Sequence, residues 1–200
     1  MRANEALSAY VLAGGRSSRM GTDKALLELQ GKTLLERTLA CAGEVASHVG
    51  IVGSAAQFGK YGPVVEDIFP DCGPLGGIHT ALRTSTSDAN LILAVDLPGL
   101  TPQFLRFLVA IAVKEPTAQA IVPRYDGRWQ PLCAVYRREF AKAAETALQA
   151  RRYRIDLLFA QVPAREISEA ELESAGFNAS IFRNVNTPAD LEEARGGQTT

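Results

Sequence analysis

Apolar and polar positions follow two rhythms along this chain. Short apolar, β-rich runs occur at residues 9–12, 49–53, 63–65, 91–95, 120–122 and 131–136, and helical patterns stand between several of them. Strands that alternate with helices imply βαβ units, a largely parallel sheet and helices on both faces. Ligands then gather at the C-terminal ends of the strands. Leu34, Leu35, Thr38, Leu39 and Ala42 repeat with the period of a helix, and Thr33 before Glu36 supplies a capping box. Thr101-Pro102 opens a second helix with the buried stripe Phe104, Leu105, Leu108, Ile111 and Ala112. A third covers 139–150, and Thr187-Pro188 begins a short fourth that runs to 195.

Composition changes this picture little. At 200 residues, 46% hydrophobic and 22% charged, the chain suits one α/β domain over 1–195 with a polar tail at 196–200. A net charge of −1 offers no broad basic field for long nucleic acid or an anionic membrane, so phosphate binding has to be local. Cys41, Cys72 and Cys133 lack metal-ligand spacing and read as reduced thiols. No signal-peptide pattern or apolar run of roughly 20 residues is present, so a cytoplasmic location is expected.

Candidate chemistry concentrates after the first strand. In YVLAGGRSSRMGTDKALLELQG, Gly14, Gly15 and Gly21 offer the backbone freedom of an anion nest. Arg16, Arg19 and Lys24 can neutralise phosphate oxygens there. The spacing fits neither a Walker loop nor a dinucleotide fingerprint; a solvated basic loop would look similar. Asp96 follows the apolar run 91–95 and would suit Mg²⁺, which takes one or two carboxylates plus phosphate oxygens, or else a turn. In CGPLGGIH, small residues including Gly76 and Gly77 either admit a ligand or pack a helix onto the sheet, and His79 is expected at the surface. Asn184 and Asn186 alternate as on a short strand, where they could read a ligand or serve turn and cap. Arg124, Arg128, Trp129, Gln130 and Pro131 suit an acceptor side or a basic hairpin tip with a packed Trp. Arg151, Arg152 and Arg154 read as a solvated face.

LAGGRSSRMGTDKALL resembles the signature of the molybdenum cofactor guanylyltransferases, and VVEDIFPDCGPLGGI, LAVDLPGL, QPLCAVYR and NVNTPADL resemble them in the same order. The resemblance implies a Rossmann-like, three-layer nucleotidyltransferase fold. It also implies transfer of GMP from GTP to molybdenum-bearing molybdopterin, with release of pyrophosphate and with Mg²⁺. Carried over by position, Leu12, Ala13, Gly14 and Gly15 would line the guanine and ribose side. Lys24 would contact phosphates with Arg19 beside it, Asp67 would touch the nucleotide, and Asp96 would hold the metal. Gly76, Gly77, Asn184 and Asn186 would face the pterin, and transient contact with other molybdenum cofactor proteins is implied. Cytidylyl transfer to the same cofactor is the nearest alternative, with Gly15 favouring guanine; a non-catalytic nucleotide or pterin carrier is another. The chain departs from the family around Val52, where an asparagine that touches the nucleotide is often found.

Overall fold

The computed structural model describes residues 7–14, 23–185 and 187–196. Gly15, Arg16, Arg19, Gly21, Asn186 and the tail beyond 196 lie outside them. The main sheet is built from β1 (Ser8–Leu12), β4 (His48–Val52), β5 (Val64–Val65), β6 (Ala89–Ala94), β7 (Ala120–Tyr125), β9 (Cys133–Arg137) and β10 (Ala164–Ile167). Its order is β10-β7-β9-β6-β1-β4-β5, and β8 (Arg128–Trp129) pairs with β7. β2 (Glu28–Leu29) and β3 (Lys32–Thr33) form a separate hairpin. The helices are α1 (Leu34–Gly43), α2 (Ala55–Phe58), α3 (Gly73–Thr84), α4 (Pro102–Lys114), α5 (Phe140–Gln149), α6 (Glu169–Ser174) and α7 (Pro188–Gly196).

The predicted caps form where the sequence places them. Thr33 accepts the Glu36 N–H at 3.1 Å while Glu36 accepts the Thr33 N–H at 2.8 Å, and Thr101 caps α4 through the Phe104 N–H. Alternation along the strands then divides the core. In β6, Leu91 and Leu93 join Phe104, Leu105 and Leu108 of α4 on one face, and Ile92 joins Leu75, Ile78 and Leu82 of α3 with Phe140 of α5 on the other. Both faces are covered, so the three-layer α/β architecture holds. Each large apolar side chain so buried contributes about 1.5–3 kcal/mol.

The sheet is mostly parallel, but β9 runs antiparallel to both neighbours, β6 and β7. A parallel connection needs a crossover of about a dozen residues or more, and only a tight turn separates β7 from its return. Asp126 (φ 49°) and Gly127 (φ 67°) reverse the chain there into β8.

The topology also fixes the place of a ligand. β1 lies between β4 and β6 and is parallel to both, so the chain leaves β1 for one side of the sheet and later returns on the other. A crevice opens at the C-terminal ends of strands where the order reverses in this way. Here those ends are Leu12-Ala13-Gly14 and Ala94-Val95-Asp96.

Candidate active site

A cleft of about 160 Å³ occupies that crevice. It is lined by Leu12, Ala13, Gly14, Asp23, Lys24, Val52, Asp67, Gly73, Pro74, Gly77, Ala94, Val95, Asp96 and Leu132. Lys24, Asp67 and Asp96 are far apart in sequence and meet here with the start of the glycine-rich loop. Gly76, Asn184 and Arg124 to Pro131 do not line it. Gly76 is instead buried under the Phe69 carbonyl, 2.8 Å from where a Cβ would stand, so its smallness serves helix packing.

Lys24 begins a short 3-10 turn, Lys24–Leu26, whose first N–H groups are held by Asp23: its carboxylate accepts the Ala25 N–H at 2.9 Å. Gln57 Nε2 donates to the other Asp23 oxygen at 2.8 Å. That fixes the stem from which Lys24 Nζ reaches Asp96 Oδ2 at 3.1 Å, with the two side chains 16% and 19% exposed. The Asp96 backbone is anchored as well, since its carbonyl accepts the Val185 N–H at 2.9 Å.

Asp67 enters from the other wall, after β5. Its Oδ1 is buried without a hydrogen-bond partner, and its Oδ2 lies 3.6 Å from where a Cβ on Gly14 would stand. Burial pushes its carboxyl above the usual carboxylate range, and the Thr80 hydroxyl pulls the other way. The charged lining therefore contains three carboxyls, Asp23, Asp67 and Asp96, against one ammonium among the described residues. Among the described residues, no cluster of three or more His, Cys, Asp or Glu gathers as a metal cage. Mg²⁺ nevertheless needs only one or two protein carboxylates, such as Asp96, where substrate oxygens and water complete its shell.

Several expectations need correction. Gly14 does not adopt a positive φ, and a Cβ there would make only ordinary contacts, at 3.6–3.8 Å. The left-handed glycine of the cleft is Gly73 (φ 65°), which turns the chain into α3. His79 is buried, not at the surface, because α3 is covered by the sheet and by α5. Its ring meets Phe69 edge-on at 5.1 Å and lies 3.7 Å from Glu145, and burial pushes its pKa down while Glu145 raises it. Asn184 is exposed in irregular backbone, not on a strand; the neighbouring Val185 spends its N–H on Asp96 and packs with Leu29 and Leu34. It lines a second cavity of about 300 Å³ with Pro98 and Arg183.

The departure near Val52 also has a physical form. The Val52 carbonyl accepts N–H groups from Ala13 and Gly14 at 3.0 and 3.2 Å. A Cβ on Gly53 would stand 3.0 Å from the Phe58 ring and 3.3 Å from the Gly14 nitrogen, and Ser54 is exposed. Val52 thus stands at this wall, and no described residue that lines the cleft carries an amide side chain.

Around Trp129 the hairpin-tip reading fits: the Arg124 guanidinium lies 5.5 Å from the Trp129 ring and pairs with Glu166, and the ring packs on Phe159. Arg151, Arg152 and Arg154 are exposed. Gly73 and Pro74 of the CGPLGGIH stretch line the cleft; sequence reading missed Asp23, whose spacing before Ala25 is a cap signal, and Leu132, which no local pattern marks as a site residue.

Residues 9–164 match the family model of the MobA-like NTP transferase domain. A protein of Pelotomaculum thermopropionicum named probable molybdenum cofactor guanylyltransferase is 36% identical over 187 residues, spanning 92% of this chain and 90% of that one. Molybdenum cofactor guanylyltransferase of Syntrophotalea carbinolica is 30% identical over 190 residues, spanning 94% and 90%. Molybdopterin-guanine dinucleotide biosynthesis protein A from Archaeoglobus fulgidus superposes with a TM-score of 0.81 at 26% identity, over 94% of this chain and 97% of that one. A cleft at the switch point of a doubly covered sheet and a family match across most of the chain agree: this nucleotidyltransferase belongs to the MobA-like NTP transferase family.

Proposed function

We propose that the protein transfers GMP from GTP to molybdenum-bearing molybdopterin and releases pyrophosphate, with Mg²⁺. What carries the proposal is the convergence of Lys24, Asp67 and Asp96 on one cleft at the ends of β1 and β6. The names of the relatives supply the substrate pair.

A terminal phosphate oxygen of the acceptor attacks the α-phosphorus of GTP in line. The bond from that phosphorus to the bridging oxygen of the β-phosphate breaks, and pyrophosphate leaves with the electron pair. No side-chain nucleophile is required, so the protein contributes position and charge. Leu12, Ala13 and Gly14 present backbone to guanine and ribose, with Gly15 assigned beside them. Lys24 donates to phosphate oxygens, with Arg19 assigned beside it. Asp67 accepts from a hydroxyl or amino group of the nucleotide. Asp96 would hold Mg²⁺, which supplies charge neutralisation at the phosphates; a cleft lined by three carboxyls needs added positive charge before it can accept a polyanion. Gly77 faces the acceptor from α3, with Asn184 and Asn186 assigned to the pterin.

The test pairs binding with turnover. Stabilisation by GTP, CTP and ATP, each with Mg²⁺, reads selectivity through mass action on the folded state, and pyrophosphate release with molybdopterin reads the transfer. Strong stabilisation by GTP with acceptor-dependent release is expected. Stabilisation by CTP alone would replace guanylyl with cytidylyl transfer, and binding without release would make the protein a carrier.

A further inference from the structure

The segment that delivers Asp67, residues 66–72, packs on the core through Phe69 and Cys72. Glu66 points outward and accepts the Ala55 N–H at 3.2 Å, and the Ile68 side chain is 53% exposed. Two contacts tie it down to α3. The Phe69 ring sits against His79. At the next residue of the helix, Thr80, fully buried, accepts the Ile68 backbone N–H at 2.9 Å.

A threonine hydroxyl has one proton to give and two lone pairs. With the Ile68 amide on a lone pair, the hydroxyl proton is left for the neighbouring Asp67 carboxyl, whose buried Oδ1 has no hydrogen-bond partner. The Thr80 side chain acts on Asp67 and favours its charged form. Nothing in the helical pattern requires a hydroxyl at this position; Val would fill the same volume in a core built of Leu75, Ile78, Ala81 and Leu82.

We propose that Thr80 is a positioning residue for nucleotide recognition: its hydroxyl holds the Ile68 amide and the Asp67 carboxyl together, so that Asp67 meets the nucleotide in one orientation. The proposal rests on the reading of Asp67 as a nucleotide contact. Thr80 itself does not line the cleft and touches no substrate.

The experiment measures GTP affinity by calorimetry, with Mg²⁺, from pH 5 to 8 in the wild type, Thr80→Val, Thr80→Ser, Asp67→Asn and the double variant Thr80→Val/Asp67→Asn. Thr80→Val is expected to weaken GTP about tenfold, a typical loss for a hydrogen bond to a charged group. It should also move the acid limb of the affinity profile to higher pH, since the contribution that lowers the Asp67 pKa is gone. Thr80→Ser, which keeps the hydroxyl, should restore both. The double variant should match Asp67→Asn alone, because the threonine acts through the aspartate.

The other titratable groups facing this wall are Asp23, Lys24 and Asp96 across the cleft, Glu66 beside it and His79 behind Phe69. None is removed by Thr80→Val, so an acid limb that stays in place overturns the proposal. Equal losses from Thr80→Val in the wild-type and Asp67→Asn backgrounds also overturn it. So does weakened binding in Thr80→Ser, a result that stands even if Thr80→Val does not fold. If Asp67→Asn alone leaves GTP affinity unchanged, the underlying reading of Asp67 fails and takes the proposal with it.

Discussion

The two walls of the cleft carry the same functional group in opposite circumstances. On one, Asp96 is matched by the Lys24 ammonium at 3.1 Å, and its backbone is pinned by Val185. On the other, Asp67 has a buried oxygen with no partner, and burial raises its proton affinity. A carboxylate beside an ammonium sits in a charged setting, whereas one with an open oxygen can take a donor from a ligand. We read the first wall as the one that handles charge and the second as the one that recognises the nucleotide.

That contrast breaks if the two aspartates behave alike. The largest effect is expected from Asp96→Ala, which should lower kcat about 1000-fold, the scale seen when a key electrostatic group at developing charge is lost. Steady-state pyrophosphate release measures it, and near-normal turnover would remove Asp96 from the chemistry. Lys24→Met comes next. It deletes a phosphate donor and strands Asp96, and kcat/KM should fall about 100-fold.

Asp67→Asn should weaken GTP about tenfold with kcat nearly unchanged, and should flatten the acid limb of binding. It should also stabilise the ligand-free protein. A carboxyl whose folded pKa is raised binds its proton more tightly when folded. Stability is therefore lost as pH rises from the ordinary carboxylate range through the raised pKa, and the amide carries no such loss. A gain of about 2 °C in Tm at neutral pH is expected, and a clear drop would contradict the burial cost assigned to the Asp67 carboxylate. The smallest effect belongs to a control outside both walls: Arg154→Ala, in an exposed pair with Asp156, should leave kcat/KM within about twofold and Tm within about 1 °C.

Much of this layout was legible in the chain. The Thr33 and Thr101 caps, the apolar strands and the Lys24 and Asp96 candidates depend on neighbours within a few residues, and local physics decides them. The failures share a different cause. His79 was expected at the surface because helical periodicity assumes one exposed face, while α3 is covered by both the sheet and α5. The strand geometry expected for Asn184 gave way because Val185 gives its N–H to Asp96, a residue nearly ninety positions earlier. Gly14 was expected to use the freedom of a positive φ and does not, while Gly73 does so where α3 begins, since no pattern shows which glycine takes the positive φ.

By itself, the sequence determined that this is an α/β chain with a glycine- and cation-rich segment after its first strand, because periodicity, caps and loop composition are local properties. Only the tertiary structure decided that β9 runs against its neighbours, that Lys24 and Asp96 pair, and that Asp67 is buried opposite them with Thr80 behind. Those facts depend on strand order and on which groups share the space above β1, and chain folding over long separations sets both.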